Sequence, residues 1–90
     1  MNKAELAEVV AAKAGVSKAL AERAIDTTFE AIVRALKRGD SVTVVGFGTF
    51  AVRRREARMG RNPKTGAPMR IAAARTAAFK AGKGLKDSVN

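Results

Sequence analysis

The side chains best suited to chemistry in this sequence are a dense series of arginines and lysines in its second half. The segment from Arg53 to Gly66 reads R-R-R-E-A-R-M-G-R-N-P-K-T-G and carries six cationic side chains against one carboxylate. Guanidinium and ammonium groups bind phosphate oxygens, and the guanidinium can do so through two parallel hydrogen bonds. Because few side chains in the segment from Arg53 to Gly66 are apolar, this segment cannot build a core. We expect a basic arm that reaches towards a polyanion.

The cationic series extends beyond the arm. Residues 1–45 contain seven Lys and Arg against six Asp and Glu, whereas residues 46–90 contain eleven against two. A surface that serves solubility alone normally mixes both signs. This asymmetry, with a sequence pI near 11.2, favours a nucleic acid or an anionic membrane as partner. The candidate binding residues from this pattern are Arg53, Arg55, Arg58, Arg61, Lys64, Arg70, Arg75, Lys80, Lys83 and Lys86.

Catalytic residues are hard to find in this chain. It contains no Cys and no His, so thiolates and the commonest general base and metal ligand are missing. Most carboxylates belong to the first half, Glu56 stands among arginines, and no Ser or Thr has a base beside it. Gly46-Phe47-Gly48 lacks the lysine and the following helix of a phosphate-binding loop. We expect a turn there, and a non-enzymatic protein with neither metal nor cofactor.

Pro63 and the aromatic residues leave questions open. Pro63 either shapes the tip of the arm, as prolines in turns do, or acts as an apolar wedge between base pairs. Phe29, Phe47, Phe50 and Phe79 are the only aromatic residues. The absence of Tyr and Trp speaks against stacking on unpaired bases as the main activity.

Two helices are predicted ahead of the basic half. Asn2-Lys3-Ala4-Glu5 fits a capping box, and Gly15 ends the first helix. A second helix begins at Ser17 and is closed by Gly39. Its apolar positions form one stripe, made of Ala21, Ile25, Phe29, Ile32, Val33 and Leu36.

Strands and a short helix then position the cations. We predict strands at 41–45, 49–55 and about 69–77, and a final helix over 82–89 that carries Lys83 and Lys86. In the second strand Phe50 and Val52 share one face, whereas Ala51, Arg53 and Arg55 share the other. The predicted fold class is α+β, in one domain. It comprises a helical hairpin (1–39), a three-stranded antiparallel sheet (40–81) with the arm at about 53–69, and a C-terminal helix (82–90).

The chain is short for an independent core. Ninety residues bury only roughly 60–70% of the surface that the unfolded chain exposes. No disulfide is available, so we expect oligomerisation to bury more. Glu5 and Glu8 interrupt the apolar stretch near the N-terminus, and no run approaches the ~20 apolar residues of a membrane span. We therefore expect neither a signal peptide nor a membrane segment, and a cytoplasmic location.

The sequence contains three distinctive motifs: Gly46-Phe47-Gly48-Thr49-Phe50, Arg58-x-Gly60-Arg61-Asn62-Pro63-x-Thr65-Gly66, and Phe79-Lys80-x-Gly82-Lys83-x-Leu85-Lys86. Together they resemble the bacterial HU/IHF histone-like proteins. The likeness extends from Met1 to Asn90. It implies an intertwined dimer whose two β-arms embrace DNA through the minor groove, with Pro63 intercalating.

The resemblance also assigns residue roles. Arg55, Arg58, Arg61, Asn62 and Lys64 become arm contacts, and Lys80, Lys83 and Lys86 hold phosphates along the flank of the body. Lys3 completes the expected DNA-binding set. The expected dimer core contains Phe29, Ile32, Leu36, Val44, Phe47, Phe50 and Phe79.

The chain departs from the family where Ala72 and Ala77 stand in place of frequent prolines, which leaves the end of the third strand open. It stops at Asn90, as HU does. We expect a nucleoid-associated homodimer that binds and bends duplex DNA with little sequence preference and prefers bent, nicked or gapped DNA. The alternatives are one subunit of a sequence-preferring IHF-like heterodimer, an RNA-binding basic protein and, with least support, a membrane-surface protein.

Overall fold

The structure is a computed structural model that describes all 90 residues. Its elements in chain order are α1 (Lys3–Ala14), α2 (Lys18–Lys37), β1 (Val42–Val44), β2 (Gly48–Arg55), β3 (Arg58–Arg61), β4 (Pro68–Ile71), β5 (Ala74–Ala81) and α3 (Lys83–Val89). Strands β1, β2 and β5 form an antiparallel sheet in that order, and β3 pairs with β4. The predicted α+β class is confirmed.

Local capping chemistry sets the ends of the first two helices. The Asn2 side-chain oxygen accepts a hydrogen bond from the Glu5 backbone N–H at 2.9 Å, and the Ser17 hydroxyl accepts one from the Leu20 N–H at 3.1 Å. The Glu5 carboxylate makes no reciprocal bond, so only half of the predicted capping box forms. Gly15 ends α1 at φ 67°, a left-handed conformation that suits glycine.

The arm continues the sheet without a change of register. Strands β2 and β5 pair from Gly48 and Ala81 out to Arg55 and Ala74, and β3 and β4 resume the same register at Arg58 and Ile71. The interruption between them comprises two residues on each side, 56–57 and 72–73. The arm is therefore one long hairpin with a short unpaired base.

The prediction of a third strand over 69–77 was wrong in two respects. The ladder breaks at Ala72 and Ala73, although Ala72 has the backbone N–H that a proline lacks. There the Arg55 guanidinium donates to the Ala72 carbonyl at 3.0 Å. Beyond the break, β5 passes through Ala77, which lies opposite Val52, and ends only at Ala81. Proline is confined in strands by its missing donor, and alanine at 77 removes that constraint.

The core of one chain is small. Ala7, Ala21 and Ile25 pack together where α1 crosses α2, and only 5 of 90 residues are buried. The radius of gyration of 18.9 Å exceeds the about 12 Å expected of a compact chain of this length. None of the helices combines the length and apolar character that crossing a membrane requires.

Several large apolar side chains of the body are exposed. Phe29, on the predicted apolar stripe, is 51% exposed, so a single chain does not make it a core residue. Phe79 packs between two other rings: its centroid lies 5.4 Å from that of Phe47 and 4.9 Å from that of Phe50. Phe47 and Phe79 are nevertheless exposed. An uncovered apolar surface of this kind marks an interaction site, which fits the predicted second copy.

We therefore expect folding to be coupled to association. The thermal midpoint should fall by a few degrees on each tenfold dilution, because association stabilises the folded chain by mass action. Phe29→Asp should lower the midpoint and shift the mass in solution to a monomer, because it places an unpaired carboxylate in the interface. Thermal denaturation across a dilution series, with light scattering, measures both. A monomer with a concentration-independent midpoint would contradict the prediction.

Candidate nucleic-acid interface

The tip of the arm is a defined loop. The backbone N–H of Asn62 donates to the Ala67 carbonyl at 2.9 Å, and the Gly66 N–H donates to the Asn62 carbonyl at 2.7 Å. The Asn62 side chain also accepts from the Lys64 N–H at 2.8 Å, which is a local turn typical of asparagine. Pro63 follows Asn62 in this loop and is exposed. The loop thus presents the proline ring on a fixed backbone.

The two faces of the hairpin differ in what they meet. Phe50, Val52 and Arg54 alternate on one face, opposite Phe79, Ala77 and Arg75. Arg75 reaches the end of α2, so this is the helix-side face. The other, which we call the arginine face, carries Arg53 and Arg55 from β2, Met59 and Arg61 from β3, and Arg70 from β4. Because the register is unbroken, alternate residues keep to the same face along the arm.

Arg75 has a partner inside the chain. Its guanidinium donates to the carbonyl oxygens of Leu36 and Lys37 at 3.1 Å and 3.3 Å. The last carbonyls of a helix lack partners within the helix, and a cation there also complements the helix dipole. The contact ties β5 to the end of α2. The sequence pattern predicted a DNA contact for Arg75, whereas the structure engages its side chain as a helix cap.

The remaining cations of the second half have no carboxylate partners. All three ion pairs, Lys3–Asp26, Lys18–Glu8 and Arg38–Asp40, lie within the first 40 residues. Arg55 and Arg61 bond only to backbone carbonyls of Ala72 and Gly66. The positive charge of the arm is therefore uncompensated and exposed to solvent.

Lys3 differs from the other candidates because it is already paired. Its ammonium lies 2.8 Å from the Asp26 carboxylate. The hydrogen bond to Asp26, reinforced by its charge, raises the pKa of Lys3 above its ordinary value. The ammonium is charged at neutral pH in either case, but Asp26 offsets much of its field.

The lysines of the flank are positioned by close backbone packing. The Gly82 N–H donates to the Phe47 carbonyl at 2.8 Å. A Cβ on Gly84 would lie 2.6 Å from the Gly46 carbonyl oxygen. These contacts seat the start of α3 against the turn between β1 and β2. Lys83 and Lys86 are thereby held exposed on the body.

Arg54 is a cation that the sequence pattern did not single out. Strand alternation places it with Phe50 and Val52, which favours an inward side chain, but Arg54 is exposed and lies opposite Arg75 in the ladder.

Known proteins are similar to this chain over its whole length. A family model described as bacterial DNA-binding protein matches residues 1–90. DNA-binding protein HU-beta of Pseudomonas aeruginosa is 60% identical over 90 residues, which is 100% of each chain. HU-beta of Escherichia coli K12 is 54% identical with the same coverage.

Solved structures are also similar to this chain. The chain resembles the Anabaena HU–DNA cocrystal structure with a TM-score of 0.86 and 49% identity, over 99% of this chain and 97% of that one. It resembles HU from Thermotoga maritima with a TM-score of 0.70 and 34% identity over 100% of both chains.

The helix cap made by Arg75 predicts a difference between two arginines of the hairpin. Arg75→Ala should lower the stability by about 1 kcal/mol, because it leaves two helix carbonyls without their charged donor. Arg70→Ala removes an exposed side chain that makes no hydrogen bond within the chain, so it should leave the thermal midpoint unchanged. Thermal denaturation of both variants measures the difference. Equal midpoints would show that the Arg75 contact contributes nothing to stability.

Proposed function

The chain belongs to the family of bacterial DNA-binding proteins that includes HU, and on that premise we propose that it is a histone-like architectural protein. It acts as a non-enzymatic dimer that binds duplex DNA with little sequence preference and bends and constrains it. Its place is the nucleoid, in the cytoplasm.

One observation carries this proposal: the arm projects an uncompensated cationic surface away from the body. The chain extends 60 Å along its longest axis and about half that along the others. The candidate cations outside Lys3 have no carboxylate partner. Such a surface binds the phosphate backbone and gains affinity by releasing condensed counterions, which carries no sequence information.

The shape of the arm favours the minor groove. Two antiparallel strands with an exposed tip form a thin ribbon, and arginine suits a narrow groove of strong negative potential. Minor-groove binders of the HU and IHF family insert apolar wedges between base steps. Pro63, exposed on the loop that Asn62 fixes, supplies such a wedge here. The turn and wedge roles of Pro63 are compatible, because the turn is what holds the ring in place.

The energetics of bending set the preferences of the protein. Kinking a duplex requires unstacking, and further contacts along the bent DNA offset that cost. Nicked, gapped or kinked DNA needs less unstacking energy to reach the bent form, so it should bind best. A gel-shift series over linear, nicked and kinked duplexes tests the proposal. A preference for folded RNA would overturn it, and one protected site in random-sequence DNA would favour the IHF-like alternative.

The flank lysines should contribute charge alone. Lys83→Ala and Lys86→Ala should each weaken all DNAs about equally and flatten the plot of log affinity against log salt by roughly one unit for each phosphate that is no longer neutralised. Lys13→Ala removes the same charge from the last turn of α1 and should leave the slope unchanged. Titrations at several salt concentrations supply the slopes. If a flank variant kept the wild-type slope, as the Lys13 control should, its lysine would not contact a phosphate.

Pro63 should affect bending separately from charge. Pro63→Ala should keep the salt slope and reduce bending of linear duplex, because it removes the wedge and leaves every cation in place. Binding to an already kinked duplex should suffer least. Energy transfer between the labelled ends of a duplex reports the bend.

The chain has only one other proline, Pro68, which lies opposite Arg61 at the start of β4. Pro68→Ala is the matched control and should leave bending unchanged. If Pro63→Ala weakened linear and kinked DNA equally and the complexes were bent as before, Pro63 would be a turn residue only.

A further inference from the structure

The chain has one chemical class of readily oxidised side chain. It contains three methionines and no Cys, His, Trp or Tyr. A peroxide that reaches this protein therefore finds thioethers as its main side-chain targets. Two of the three methionines, Met59 and Met69, lie in the arm, in β3 and β4.

Both thioethers are accessible, but they lie on opposite faces of the arm. Met59 is 68% exposed and Met69 is 43% exposed. Met59 pairs with Arg70, whereas Met69 pairs with Gly60. Directly paired residues share a face and successive residues alternate. Met59 therefore lies on the arginine face with Arg61 and Arg70, and Met69 lies on the helix-side face with Ile71.

The arginine face is the one free to meet DNA along the whole hairpin. Near the body, Arg75 on the opposite face is engaged by the Leu36 carbonyl at the end of α2. On the arginine face every cation from Arg53 to Arg61 is exposed, as is Arg70 on the opposite strand. Met59 stands within this face as an apolar side chain between cations, so it would be covered when the face meets a groove.

We propose that Met59 is an oxidative modification site whose conversion to the sulfoxide weakens DNA binding. The inference rests on the proposed function. In the reaction, a sulfur lone pair attacks one oxygen of hydrogen peroxide, the O–O bond breaks, and the second oxygen leaves as water after proton transfer. The sulfur loses two electrons and the peroxide gains them.

The sulfoxide changes the arginine face in two ways. It turns a flexible apolar side chain into a polar one, and burying its oxygen against a groove costs free energy unless a donor is present. The donors on the same face are Arg61 and Arg70, and a guanidinium N–H that bonds the sulfoxide is lost to the phosphate. The change is reversible, because a dithiol-dependent sulfoxide reductase returns the thioether with release of water and formation of a disulfide.

Peroxide footprinting tests whether Met59 lies on the surface that bound DNA covers. The full-length protein, free and bound to duplex DNA, is treated with hydrogen peroxide, and sulfoxide at each methionine is quantified by peptide mass spectrometry. We expect bound DNA to slow oxidation of Met59 several-fold and to change that of Met69 little. Equal protection of both residues, or of neither, would overturn the placement.

Two matched variants test the consequence. Met59→Leu and Met69→Leu each keep an apolar side chain of similar volume and remove one oxidisable sulfur from the arm. After peroxide treatment, Met69→Leu should bind duplex DNA several-fold more weakly, and reductase treatment should restore it. Met59→Leu should keep its affinity. Equal losses, or none, would overturn the proposal.

The untreated proteins separate this inference from its premise. If untreated wild-type protein fails to bind duplex DNA, the proposed function fails, and the role of Met59 fails with it. If the untreated proteins bind and peroxide has no effect through Met59, only the modification site is wrong.

Discussion

The cost of removing the cations of the arm from water is the constraint on which the rest of this structure depends. Six positive charges within the fourteen residues from Arg53 to Gly66 cannot be gathered into a core, because desolvating them without partners costs far too much. They must stay in water on an extended hairpin. An isolated two-stranded ribbon is marginally stable at best, so the body has to hold this one. The eight residue pairs between β2 and β5 provide that support, and Arg75 fastens β5 to α2.

The distribution of acids follows from the same constraint. Asp26, Glu8 and Asp40 pair with cations in the helical half or just after it, where no polyanion is needed. The second half keeps its cations free. Exposed ion pairs stabilise little in water, so pairing in the arm would have gained little stability and would have weakened the field that attracts phosphate. The body exposes the large aromatic side chains, and the hairpin carries most of the unpaired charge.

How far the sequence predicts this structure depends on the range of the interactions involved. Asn2, Gly15 and Ser17 act on backbone groups within a few residues, and the helix ends follow from them. The break at Ala72 and the extension of β5 to Ala81 depend on contacts across the hairpin, which the pattern of one strand does not contain. The bond from Arg75 to Leu36 joins residues 39 positions apart. Phe29 follows the helical period faithfully, but a single chain leaves half of it exposed. The DNA-binding motif was identified because its residues are contiguous, whereas the partner of each cation was not predictable.

The unpaired base of the arm, at residues 56–57 and 72–73, has a mechanical consequence. Four residues without ladder hydrogen bonds form a compliant joint between two stiffer ribbons. The tip is about six residues beyond the joint, or about 20 Å at the rise of a strand. A tilt of about 10° therefore moves the tip by about 3–4 Å, comparable to the 3.4 Å between successive base pairs along a strand. Since the register is the same on both sides of the joint, the tilt need not slide one strand past the other. By tilting at this joint, the arm can follow duplexes of different curvature, and each side chain stays on the same face of the hairpin.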